Sequence, residues 1–230
     1  MLAAVASDSR RTALTPVYIE SGAKRVFACA LDWPGWCRSG KDEDQALDSL
    51  AAAGPRYAAV AAQARLPFPA IDRDAFDVVE RLPGSASTDF GVPYEVASRD
   101  TKPLTAQEAR RLVSLVSASW KVLDMVVAAA PVELRKGPRG GGRDRDTIVA
   151  HVISAEGAYA RKLGIGLPAP AVDDLASVAA LRAAFLEVLG SPSTGAPVVH
   201  KGWYQRYGAR RIAWHALDHA WEIEDRTEPR

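Results

Sequence analysis

With 230 residues, 48% hydrophobic and 25% charged, the chain is long enough to bury a sizeable core and too apolar to be disordered. A formal net charge of +1 supplies no global field for nucleic acid or an anionic membrane surface, so neither partner is expected. No stretch approaches the roughly 18 apolar residues of a membrane span.

Residues 1–9 are mildly apolar but too short for a signal h-region, and the arginines follow rather than precede them. The two cysteines, Cys29 and Cys37, fit neither a disulfide framework nor a CxxC pair. The expectation is a reduced, cytoplasmic protein.

Residues 16–31 alternate like two strands around Ser21-Gly22-Ala23-Lys24, with Val17, Tyr18 and Ile19 before it and Val26, Phe27, Cys29 and Leu31 after. Asp32-Trp33-Pro34-Gly35-Trp36-Cys37 reads as a turn, because Pro34-Gly35 interrupts both regular structures. From Lys41 a helix carrying Ala46, Leu47 and Leu50 runs to Gly54-Pro55, and a second short helix follows over residues 56–64. Phe76, Val78 and Val79 suggest another strand, ending at Leu82-Pro83-Gly84. Residues 1–85 are thus expected to form a small α+β domain. Residues 86–104 read as a linker, with one more strand near Tyr94-Glu95-Val96.

The first unit resembles the HicB-like antitoxin domain over residues 16–62. The features that carry the resemblance are residues 17–20, the Trp33-Pro34-Gly35-Trp36-Cys37 turn, and Ser39-Gly40 leading into Asp42-Glu43-Asp44-Gln45-Ala46-Leu47. The resemblance implies a protein partner bound through this domain.

From Thr105 the chain reads as helical. Thr105-Ala106-Gln107-Glu108 has the form of a capping box, and the helix it opens buries Val113, Val116, Trp120, Leu123 and Val127. The basic, Gly-rich residues 136–143 lack the Lys-Ser/Thr of a phosphate loop and read as an interhelical loop. Asp144 or Asp146 caps a second helix, with Ile148, His151, Val152, Ala155 and Tyr159 expected to face inward. A third helix begins near Asp173-Asp174 and stops at Gly190-Ser191-Pro192, and a fourth spans about residues 209–225. The expected fold is therefore an α+β N-terminal domain followed by an all-α up-and-down four-helix bundle over residues 105–230.

The chemistry concentrates in Trp214-His215-Ala216-Leu217-Asp218-His219-Ala220-Trp221-Glu222. Residues at i and i+4 share a helix face, so His215 and His219 can both reach one point. His151 is the third candidate donor. Three imidazoles buried in one core leave several polar nitrogens to satisfy, each worth about 1–3 kcal/mol if unpaired, and a shared cation removes that problem. Their nearest ring nitrogens are expected about 3–4 Å apart, the spacing set by bonds of roughly 2.0–2.1 Å to one ion.

Residues 105–226 resemble the DinB-like (YfiT-like) metalloproteins, through His151 in Ile148-Val149-Ala150-His151 and the His215/His219 pair. The resemblance implies a divalent metal, zinc or nickel, held by these three histidines with open positions. It also implies a small-molecule substrate, with S-transfer from a low-molecular-weight thiol or hydrolysis as the reaction type. A homodimer is among the expected states.

Glu222 lies on the His219 face and is the candidate catalytic residue: a general base, a fourth ligand, an acceptor behind a ligand, or a partner of Arg226. Asp218 and Glu156 are weaker candidates, and His200 is expected at the surface. Trp214 and Trp221 are read as packing. Arg206, Arg210 and Arg211 could hold an anionic substrate or could form a solvated face.

Overall fold

A computed structural model of the protein describes residues 14–68, 72–137 and 141–227. The expectation for residues 1–9 lies outside the described residues, as does Gly140 of the Gly-rich loop.

Strand β1 (Thr15–Ser21) and strand β2 (Val26–Ala30) form the expected antiparallel hairpin, with Val17 opposite Ala30 and Ser21 opposite Val26. The period of two places Val17, Ile19, Ala28 and Ala30 on one face, and Tyr18, Phe27 and Cys29 on the other. Strand β3 (Cys37–Gly40) pairs with β2, and strand β4 (Phe76–Pro83) lies parallel to β1, giving the order β3-β2-β1-β4. The region near Tyr94 contains no strand.

Helix α1 (Glu43–Ala52) starts where the Asp42 side chain accepts from Gln45 N at 2.8 Å, and its first turn is acidic, as suits a helix N-terminus. It lays Ala46, Leu47 and Leu50 against the sheet. Helix α2 (Gly54–Gln63) follows with a proline in its first turn. Trp36 Nε1 donates to Leu50 O at 2.9 Å and Tyr57 Oη donates to Pro34 O at 2.7 Å, so both helices pin the Trp33-Pro34-Gly35-Trp36 turn.

Residues 86–104 are tied down despite their Pro and Gly content. They contain the short helix α3 (Ala86–Phe90), and the buried Glu20 carboxylate accepts from Thr88 Oγ1 at 2.5 Å and from Tyr94 N and Glu95 N at 3.0 Å each. Asp100 is buried too, paired with Arg210. Four long helices follow: α4 (Ala106–Ala129), α5 (Arg145–Lys162), α6 (Leu175–Leu189) and α7 (Gln205–Thr227). The capping box at α4 is formed, with Thr105 N donating to Glu108 at 2.9 Å and Glu108 N donating to Thr105 Oγ1 at 3.3 Å. Among the described residues α4 is long and apolar enough to cross a membrane by length and mean hydropathy, 1.6, and it packs here against α7, α2 and α6.

The expectation of a separate all-α up-and-down four-helix bundle is overturned. The protein is an α+β assembly with a four-stranded mixed sheet and, among the described residues, seven helices. A bundle helix buries one stripe, whereas α7 is buried almost all round from Gln205 to Trp221. One side of α7 meets the other long helices. The other side meets the sheet: Trp214 packs with Tyr18, Phe27, Cys29 and Cys37, and Asp218 pairs with Arg38 at 3.1 Å. Gly35, at φ +92°, lets the turn approach so closely that a Cβ there would lie 2.7 Å from Leu217 Cδ1. One apolar cluster consequently runs from Val17 to Ile223.

The cysteines also depart from expectation. Cys29 and Cys37 stand opposite each other on β2 and β3, with Cα atoms 4.1 Å apart, and are joined as a disulfide. Cysteine usage therefore gives no argument for a reducing compartment.

Candidate metal centre

Helix α5 is set by apolar residues recurring at Ile148, Val152 and Ala160, with Ile153 and Gly157 beside them, and these face the core. His151 sits on the shoulder of that stripe and is exposed, not inward as the periodicity suggested. A histidine turned away to solvent would break a common site. Here the residue is exposed while its Nε2 lies 3.2 Å from Nε2 of His215.

His215 and His219 are both 6% exposed on α7, one turn apart. One donor atom from each of the three histidines falls within 4.8 Å of the others, and the ring centroids are 4.7–5.0 Å apart. The His151–His215 spacing matches two ligands sharing one ion, and the limit for the three together is slightly wider than the expected spacing.

The protonation states favour donors. Burial pushes His215 well below the ordinary imidazole value, with His219, His151, Arg211 and Arg143 adding to the effect. Burial also lowers His151, again helped by His219 and Arg143. Neutral imidazoles with converging lone pairs are the form a cation requires.

Glu222 stands behind His219. Its Oε2 lies 2.8 Å from His219 Nδ1, its Oε1 accepts from Arg226 at 3.1 Å, and Arg143 reaches Oε2 at 3.3 Å. The bond to His219 is the main reason that the Glu222 carboxyl titrates below the usual range. A proton held on Nδ1 by this carboxylate leaves Nε2 of His219 free to coordinate. Glu222 thus contacts His219 and Arg226 together, the geometry that two of its sequence readings require.

No such acceptor serves His215, whose Nδ1 is buried with no partner among the described residues. The Tyr159 and Trp214 rings, with centroids 5.8 and 6.0 Å away, hold that imidazole by packing. The donor set fits a divalent cation: three converging imidazoles, one held by a carboxylate, and an exposed side at His151.

The other candidates lie elsewhere. Glu156 is buried between Trp120 Nε1, at 2.7 Å, and Arg182, at 3.3 Å, and burial raises its pKa. Asp218 pairs with Arg38, and His200 is exposed. Trp221 packs under Arg38, whose guanidinium carbon is 3.9 Å from the ring centre. The three arginines before His215 are not a solvated face. Arg210 is buried against Asp100 and Tyr18, Arg211 donates to Pro93 O at 2.9 Å, and Arg206 pairs with Glu108 at 2.8 Å.

Arg143 also reaches the centre, through Glu222. It comes from the loop before α5 that the sequence reading set aside, and the basic character of residues 136–143 was the available signal. Comparison of the chain with protein families, with characterised proteins and with solved structures finds no match.

Proposed function

We propose that the protein is a divalent-metal-dependent enzyme acting on a small anionic molecule, by thiol transfer or hydrolysis, with zinc or nickel as the metal. The observation that supports this most is the convergence of His151, His215 and His219 donor atoms within 4.8 Å, with Glu222 behind one of them. The resemblance to DinB-like metalloproteins in these three histidines belongs to the same proposal, as does a low-molecular-weight thiol as co-substrate. A cytoplasmic location is also part of it, and cell fractionation checks that.

When bound, a divalent ion supplies positive charge that lowers the pKa of a water or thiol beside it. His151 leaves one side of the centre open to solvent, which suits access by a substrate. Arg143 stands at that centre with a guanidinium able to orient a carboxylate. Glu222 acts through His219 and Arg143, as a positioning residue.

A competing reading is a closed centre that only stabilises the fold, with the HicB-like part contacting a protein. The burial of His215 and His219 is the observation that favours it.

Assay of zinc- and nickel-loaded protein with thiols plus electrophilic carboxylates, and with esters and amides, separates the two. The enzyme reading expects turnover that disappears with chelator, returns with metal, and is absent from His219→Ala. Metal binding that raises the melting temperature without any turnover favours the closed centre.

A further inference from the structure

Away from the histidines, a cleft of about 550 Å³ opens between the end of the hairpin and the starts of α4 and α7. Its size falls in the range of small-molecule sites, and its lining has their composition: mostly apolar, with a few convergent charges. Pro16, Trp33, Phe68 and Leu112 supply apolar walls. The charged lining is three guanidiniums, Arg99, Arg111 and Arg206, against two carboxylates, Asp32 and Glu108.

Two of the guanidiniums are matched. Arg99 pairs with Asp32 at 2.8 Å and Arg206 with Glu108 at 2.8 Å. Arg111 is not. Its guanidinium carbon lies over Trp33, 4.3 Å from the ring centre, and it donates to the backbone carbonyl of Asp32, with no carboxylate partner among the described residues. It is also partly withdrawn from water, and that burial lowers its pKa. A guanidinium stacked on an indole, partly withdrawn from water and with most of its fork open to the cleft, is held in place to receive an anion.

We propose that this cleft binds a small organic carboxylate with an aromatic or branched apolar body. The carboxylate takes the free fork of Arg111 in charge-assisted hydrogen bonds, and the body packs against the apolar lining that Pro16, Phe68 and Leu112 supply. The site is separate from the histidine centre. Arg206, at its edge, precedes His215 by nine residues on α7, roughly 13 Å along the axis.

Calorimetric titration of the full chain with phenylacetate, benzoate and 4-methylpentanoate tests this, with phenylacetamide as the neutral control. At least one carboxylate should bind saturably, and the amide should bind at least about tenfold more weakly, since hydrogen bonds to a charged group are the stronger ones. Arg111→Gln should weaken the carboxylate by about 10- to 100-fold. Arg111→Lys, which keeps the charge but not the fork, should fall between. A far-UV spectrum and melting curve of each variant show that it is folded. His219→Ala, with its metal centre damaged, should bind the carboxylate as the original does, so failure of the metal reading leaves this result intact. The proposal is overturned if no carboxylate binds saturably, if the amide binds equally well, or if folded Arg111→Gln binds like the original.

Discussion

Replacing Glu222 interrogates the centre most finely, because one carboxylate holds His219, Arg226 and Arg143 at 2.8, 3.1 and 3.3 Å. Glu222→Ala removes the carboxylate beside His219 Nδ1, which would keep the proton there and Nε2 free for a metal, and leaves two guanidiniums uncompensated. Loss of such a partner weakens metal binding by about 10- to 100-fold, or about 1.4–2.7 kcal/mol. Glu222→Gln keeps an amide oxygen that can still accept from Nδ1–H, so its loss should be about tenfold or less. The pair with Arg226 contributes only about 0.3–0.5 kcal/mol to the helix, so folding should change little. Competition for zinc against a chromophoric chelator at pH 7.5 gives the affinities. If Glu222 supplied a direct bond to the ion, Gln and Ala would weaken binding alike. Folded Glu222→Ala with the original affinity would refute the orienting role.

Asp100→Ala should leave Arg210 charged and buried, costing about 3–5 kcal/mol, which lowers the melting temperature by roughly 6–20 °C for a chain of this size. The double variant Asp100→Leu with Arg210→Met should recover most of that, and no recovery contradicts the pairing argument. Glu108 is held down to about 2 by Thr105 N, Arg206 and the Thr105 hydroxyl, so its contribution to stability is complete above its ordinary value and is lost as pH falls from about 4.5 to 2. Denaturant melts should show a shallower pH dependence over that window in Glu108→Gln, and an unchanged slope counts against the assignment. A fragment starting at Lys102 should lose cooperative melting and bind an apolar dye, because Trp214 and the Gly35 contact at Leu217 lose their partners. A sharp melt from that fragment shows an independent unit.

Much of the secondary structure was legible because local rules governed it. The hairpin followed from alternation, α4 from its capping box, and α6 from Asp174, whose side chain accepts from Ser177 N at 3.0 Å. The His215/His219 pair was legible for the same reason, since one helical turn fixes their separation. What local periodicity could not supply was the surroundings of α7. Its apolar and polar residues are buried alike, because the sheet covers the side where Arg210 and Trp214 lie. A one-stripe reading therefore produced a free-standing bundle, whereas α7 also packs against the sheet. Its start was missed as well. Gly208 reads as a breaker, yet it sits inside the helix where a Cβ would meet Leu163 at 3.1 Å. Arg143 was missed because a Gly-rich loop has no period to reveal where its end is anchored, and the pairing of Cys29 with Cys37 depended on a β-register that begins immediately after a turn.

The most direct test is a zinc titration of untagged, chelator-stripped protein, followed with cobalt for its ligand-field spectrum. One equivalent should bind, and His151→Ala, His215→Ala and His219→Ala should each abolish tight binding, because two remaining donors rarely hold zinc against a competing chelator. His200→Ala should bind as the original does. Zinc binding that survives in all three histidine variants, or no binding by the original protein, contradicts the account.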